Sequence, residues 1–123
     1  MSLNDLLALK LQHSFPIVVC LCGSTRFSQA FQDANLRETL AGRIVLSIGI
    51  NTKSDDDLIK AGVEIDKETL DTLHLFKIDL ADEILVLNVG GYIGQSTRRE
   101  IEYAQMFGKP VRFLEPVACE AMA

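Results

Sequence analysis

The sequence predicts an α/β protein: a small doubly wound parallel sheet of strand order 2-1-3-4, with helices on both faces. Three observations point there. Short apolar runs alternate with longer stretches of helical period along the chain. Those apolar runs lack in–out alternation, the mark of strands covered on both faces. Crossovers between parallel strands are right-handed, which makes 2-1-3-4 the simplest order for four of them.

The elements follow in order. The first fifteen residues, with Leu3, Leu6, Leu7, Leu9 and Leu11, are apolar enough to dock as a short helix, for instance at a subunit interface. Residues 17–22 form a continuous apolar run ending at Gly23 and read as the first strand. Ser24 or Thr25 is expected to cap a helix reaching about Ala41, with Phe27, Phe31, Ala34 and Leu40 near one face and Gly42 as the stop. Residues 44–50 are a second apolar run, and the polar stretch 51–57 is a turn in which Asp55 or Asp56 opens another helix. From about Glu64 to Leu80, the set Ile65, Thr69, Leu73, Phe76 and Leu80 keeps a helical period. Residues 84–89 read as the third strand, 90–94 as a glycine-rich turn, 96–107 as a helix ended by Gly108, and 110–114 as the fourth strand. Neither a repeat nor a linker interrupts the pattern, so residues 1–123 are expected to form one domain with its core at about 16–115.

Composition narrows the partners. Twelve basic against 17 acidic side chains give a net charge of −5, which argues against a nucleic-acid backbone as ligand. No apolar run approaches the ~20 residues of a membrane span, and the N-terminal stretch lacks the pattern of a secretory signal, so no membrane partner is expected. Three cysteines without a Cys-x-x-Cys spacing suit a reducing, cytoplasmic setting and no metal.

In a doubly wound sheet, ligands bind at the carboxyl ends of the strands where the strand order reverses, here strands 1 and 3. The first such loop is Cys22-Gly23-Ser24-Thr25-Arg26. Gly23 permits close backbone approach, and Ser24, Thr25 and Arg26 add donors, so a phosphate would suit amides at a helix start beside a forked cation. A capped helix start with a surface arginine is the plainer alternative. In the second loop, Gly90, Gly91 and Gly94 remove side-chain bulk before Ser96-Thr97-Arg98-Arg99-Glu100. Glu100 is placed in the first turn of the following helix, facing the same crevice. A partly desolvated carboxylate there can attack or stabilise an electron-poor carbon, as in glycosyl transfer. Thr97-x-x-Glu100 also reads as a capping box, in which the glutamate only returns to the cap amide.

Other groups carry two readings each. Cys20 and Arg26 have the spacing of cysteine-dependent phosphatases, but Cys20 lies inside a strand and Phe27 follows the arginine, which favours an inert core cysteine. His74 lies one helical turn from Asp71 and near Asp79: a proton-handling pair, or the commoner solvated helix face. The run Asp55-Asp56-Asp57 is better explained as helix-start charge than as a metal cluster. Tyr92 and Tyr103 are either pocket walls or packing.

Taken together, Cys22-Gly23-Ser24-x-Arg26, Ala81-Asp82-Glu83-Ile84-Leu85-Val86, Glu100-Ile101-x-Tyr103-Ala104 and Gly108-Lys109-Pro110-Val111 resemble the nucleoside 2-deoxyribosyltransferase family. The first loop is most similar to the branch that hydrolyses deoxynucleoside 5′-monophosphates. The resemblance spans roughly residues 17–114. It implies a flavodoxin-like fold, a homodimer or higher homo-oligomer, no cofactor, and cleavage or exchange at the N-glycosidic bond of a small-molecule nucleoside or nucleotide. It also implies that Glu100 is the nucleophile, that Ser24 and Arg26 hold the 5′-phosphate, and that Ser96 and Thr97 add phosphate or sugar contacts. The family's helper aspartate has candidates in Asp71 and Asp79. Non-catalytic nucleotide sensing with the same pocket remains the main alternative, and a phosphatase using Cys20 and Arg26 a more distant one.

Overall fold

The computed structural model describes residues 1–49, 62 and 66–117. Four strands, β1 (Val18–Cys22), β2 (Ile44–Leu46), β3 (Glu83–Val86) and β4 (Val111–Phe113), form one all-parallel sheet in the order β2-β1-β3-β4. The helices are α1 (Leu3–Leu11), α2 (Ser28–Leu40), α3 (Lys67–Leu80) and α4 (Gln95–Met106), with a short 3-10 turn over Val89–Gly91. This is the expected α/β architecture, consistent with a small flavodoxin-like fold. The run at Asp55-Asp56-Asp57, the helix expected to open there, and the first residues of the helix placed from Glu64 lie outside the described residues.

Strand periodicity divides β1 between two cores. Val19 and Leu21 point to one face, where Phe31 and Ala34 of α2 cover them together with Leu85 and Leu87. Cys20 and Cys22 point to the other, where Ile78 of α3 and Ile101 and Ala104 of α4 pack with Ile84 and Val86. Helices therefore cover both faces, which explains why these strands show no polar alternation.

Three boundaries differ from expectation, and each difference shapes the site. Helix α2 starts at Ser28 rather than at Ser24 or Thr25: the chain first makes a turn closed by Phe27 N–H to the Ser24 carbonyl at 3.1 Å, and no side chain caps the helix. Strand β2 ends at Leu46, the last residue with a partner on β1, so Ser47, Ile48 and Gly49 leave the sheet. The Ser47 carbonyl instead accepts from Lys77 Nζ at 2.7 Å. Strand β3 ends at Val86, and buried Asn88 turns the chain by exchanging two hydrogen bonds with the Glu115 backbone, at 3.0 and 2.9 Å. Helix α1 forms behind a Ser2–Asp5 capping box, but none of its residues is buried, so the expected docking is not made within one chain.

A charged cluster ties the edges together. Glu38 of α2 is only 3% exposed and bonds Arg112 of β4, whose guanidinium also reaches Glu83 of β3 at 3.0 Å. Arg43, just before β2, lies 3.8 Å from both carboxylates. Removing one member strands a buried carboxylate. Arg112→Met is expected to lower unfolding free energy by roughly 1.5–3 kcal/mol, the range for hydrogen bonds to charged groups, read from urea denaturation.

Candidate active site

Where β1 and β3 end, a cavity of about 700 Å³ opens between the two loops that follow them and the inner face of α3. That volume suits a small ligand. Residues 23–26 form one wall, and Tyr92, Gly94, Ser96, Thr97 and Glu100 another. The floor comes from α3, where Leu70, Asp71, His74 and Lys77 recur at helical spacing, and the departing end of β2 adds Ile48 and Gly49.

The two loops are joined across the cavity mouth. Arg26 donates from Nε to Ser24 Oγ at 3.2 Å and from its guanidinium to the Tyr92 hydroxyl at 3.4 Å, and its charge lies 4.6 Å from the Tyr92 ring centroid. Tyr92 in turn packs on Gly94, where an added Cβ would come within 3.3 Å of the tyrosine oxygen. Glycine is required at Gly90 and Gly91, whose φ values of 63° and 81° are left-handed. Gly94 then serves as the N-cap of α4 without any side-chain cap, which leaves the first amides of α4 as donors at the cavity wall.

Deeper in, four polar side chains converge. His74 Nε2 lies 3.4 Å from Glu100 Oε2, 3.4 Å from Cys22 Sγ and 3.5 Å from Cys20 Sγ. Burial pushes the Glu100 carboxyl up to about 7, against the opposing pull of His74. Burial acts downward on His74, yet its net displacement is upward, because the Cys20 hydrogen bond and the charges of Cys20 and Glu100 favour imidazolium. Of the two thiols, Cys20 is drawn down to about 6, first by the hydrogen bond from Cys22 and then by His74; Cys22, giving that bond and fully buried, is pushed up.

The residues singled out from the sequence fall into distinct places. Gly23, Ser24, Thr25, Arg26, Gly94, Ser96 and Thr97 line the cavity with Glu100 and Asp71, whereas Gly91 does not and has a conformational role. The capping-box reading of Thr97 and Glu100 is corrected: Gly94 is the cap, Thr97 is buried within α4, and Glu100 falls on the second turn, pointing at His74. The helix-start amides at the cavity belong to α4 and not to α2, because α2 begins beyond the loop. Asp71 lines the cavity and lies 3.7 Å from the Arg99 guanidinium, while Asp79 accepts from Tyr103 Oη at 2.6 Å away from it.

His74 departs from the solvated-face reading: it is buried and central. Cys20 and Cys22 are buried as expected, but they contact His74 rather than apolar neighbours alone. The signal for both was present in the Cys-x-Cys spacing, which in a strand turns two thiols to one face. A search for Cys-x-x-Cys passes over it. Tyr92 proves to be a wall of the site, and Tyr103, bonded to Asp79, lines a smaller cavity of about 270 Å³ with Asp71, Ser96 and Glu100.

No protein-family model matches the chain, and no curated protein matches it. Among the described residues, no helix is long and apolar enough to cross a membrane.

The raised Glu100 carboxyl has a stability consequence. Between its ordinary 4.5 and about 7 the folded chain holds this proton more tightly than the unfolded chain, so stability falls as pH rises through that window. Glu100→Gln removes the cost. With chelator present, its unfolding free energy relative to the parent is expected to rise by roughly 2–3 kcal/mol between pH 4 and pH 8, measured by denaturant titration.

Proposed function

We propose that this chain cleaves, or exchanges, the N-glycosidic bond of a (deoxy)nucleoside or its 5′-monophosphate, with Glu100 as nucleophile. The observation that carries the reading is the Glu100 carboxylate, set deep in a cavity whose other end presents Ser24, Arg26 and the uncapped start of α4. A phosphate held by those donors would direct the sugar inward toward Glu100. The sequence resemblance assigns the same residues to the same tasks.

In the first step a Glu100 oxygen bonds to the anomeric carbon as the bond to the base breaks. The electron pair leaves with the base, which takes a proton from Asp71 on the neighbouring turn of α3. A water then attacks the anomeric carbon of the glycosyl ester and gives its proton to Asp71 as the bond to the Glu100 oxygen breaks, releasing the sugar or sugar phosphate and restoring both carboxyl groups; a second base in place of water gives exchange. His74, 3.4 Å from Glu100, acts as a positioning residue that holds the carboxylate toward the sugar. The phosphatase alternative is disfavoured because neither Cys20 nor Cys22 lines the cavity and the Arg26 guanidinium is turned onto Tyr92.

The resemblance also implies a homo-oligomer. Helix α3 exposes Leu73, Phe76 and Leu80, and Leu73 also lines the cavity, so a second copy seated on this stripe would complete the site. Sedimentation analysis is expected to find a dimer or larger assembly, and Phe76→Glu to dissociate it; a monomeric parent protein removes this part of the reading. Two free thiols, Cys20 and Cys22, fit a cytoplasmic setting.

Chromatography of a nucleotide panel incubated with pure protein tests the chemistry. Free base is expected, without free phosphate, and Glu100→Gln should abolish its release while nucleotide binding stays measurable by calorimetry. Binding with no turnover of any panel member would favour the sensing module. Arg26→Ala should weaken binding of 5′-monophosphates by about tenfold or more while sparing nucleosides, since only the former meet the guanidinium.

A further inference from the structure

The environment of one imidazole nitrogen is over-subscribed. His74 Nε2 carries either one proton or one lone pair, yet two sulfurs and a carboxylate oxygen surround it at 3.4–3.5 Å. A hydrogen bond can serve only one of them. The cost is visible at Glu100, whose buried Oε2 has no hydrogen-bond partner although His74 is adjacent. The ligand atoms of Cys20, Cys22 and His74 all lie within 4.8 Å of one another, and all three residues are buried.

We propose that Cys20, Cys22, His74 and Glu100 form a binding site for a single soft divalent transition-metal ion of the zinc class. Zinc–sulfur bonds near 2.3 Å and zinc–nitrogen bonds near 2.0–2.1 Å make a tetrahedron whose sulfur–nitrogen edges are about 3.5 Å and nitrogen–oxygen edge about 3.4 Å. The observed separations from His74 Nε2, 3.4 and 3.5 Å to the sulfurs and 3.4 Å to the carboxylate, match the three edges that meet at the nitrogen. One cation among Cys20, Cys22 and His74 satisfies the nitrogen lone pair and both thiolates, and the orphaned Glu100 oxygen, 3.4 Å from that nitrogen, turns in as the fourth ligand. Two thiolates and an imidazole select zinc or a similar ion over magnesium or calcium, which prefer all-oxygen shells.

The scaffold supports the donors. Cys20 and Cys22 are fixed by sheet hydrogen bonds on both sides of β1, with parallel partners on β3 and, at Cys20, on β2. His74 and Glu100 approach from two packed helices and line the 700 Å³ cavity, which provides the route for an ion. Coordination takes up the Glu100 carboxylate, so metal occupancy and glycosidic attack by Glu100 exclude each other. Metal binding itself holds whether or not the glycosidase reading does, because its readout needs no substrate.

Titration of the reduced, chelator-treated full chain with Co²⁺, followed by Zn²⁺, tests the site. One equivalent of Co²⁺ is expected to produce a thiolate-to-cobalt charge-transfer band and the intense visible bands of four-coordinate cobalt, both bleached by one equivalent of Zn²⁺. Cys119→Ser should keep the spectrum. Cys22→Ser, checked for folding by circular dichroism, should lose about half of the charge-transfer intensity, since one of two thiolates remains. Glu100→Gln keeps both thiolates and should weaken Zn²⁺ binding by about tenfold or more. A parent protein with no charge-transfer band overturns the proposal, and so does a band that persists in Cys22→Ser but vanishes in Cys119→Ser. Unchanged Zn²⁺ affinity in Glu100→Gln overturns Glu100 as the fourth ligand.

Discussion

The pairing of β1 between two parallel neighbours is the constraint on which the rest of the molecule depends. Hydrogen bonds to β2 and β3 hold the strand straight, so its side chains alternate strictly. Val19 and Leu21 are committed to the α2 face, and Cys20 and Cys22 to the face under α3 and α4. A slip of one residue would exchange the two sets, putting both thiols beneath Phe31 and removing them from His74. The same register fixes where Gly23 leaves the sheet, and with it the direction of the loop carrying Ser24 and Arg26.

A second consequence concerns energy. Burying a carboxylate, an imidazole and two thiols in one cluster opposes folding, and Glu100 shows this in its upward displacement. The compensation lies elsewhere: apolar packing on both faces of the sheet, and the Glu38–Arg112–Glu83 cluster at its edge. The two charged clusters differ in kind. At the edge each carboxylate meets a guanidinium, and the atom left without a hydrogen-bond partner is a donor, Arg43 Nε, whereas in the cavity it is a carboxylate oxygen, Glu100 Oε2.

Much of the fold was legible because it rests on local periodicity. The doubly apolar runs at β1 and β3 and the helical spacing of Ile65, Thr69, Leu73, Phe76 and Leu80 each imply their element without reference to the rest of the chain, although Leu73, Phe76 and Leu80 lie exposed and His74 and Ile78 take the buried face. Boundaries were less legible wherever a distant partner decides them. Strand β2 stops at Leu46 although β1 runs on to Cys22, and Lys77, thirty residues away, takes the next carbonyl. Ser24 has the chemistry of a helix cap, yet the chain spends it on a turn and on holding Arg26. Within the site, Arg26, Ser24 and Glu100 could be named from the strand ends where they lie. His74 could be singled out only beside the commoner reading of a solvated face, because a helix shows its pattern but not which neighbour it packs against.

The sequence by itself determined the strand order, the helices on both faces, and the two loops that meet at the carboxyl ends of β1 and β3. These follow from hydrophobic periodicity and the handedness of crossovers, which are properties of short segments. Tertiary structure alone decided that His74 faces inward, that Glu100 is no cap, and that two thiols fifty residues from that histidine lie against it. The reason is physical: the contact of α3 with α4 and β1 sets the rotation of each helix about its axis, and side-chain convergence depends on that rotation rather than on any local pattern.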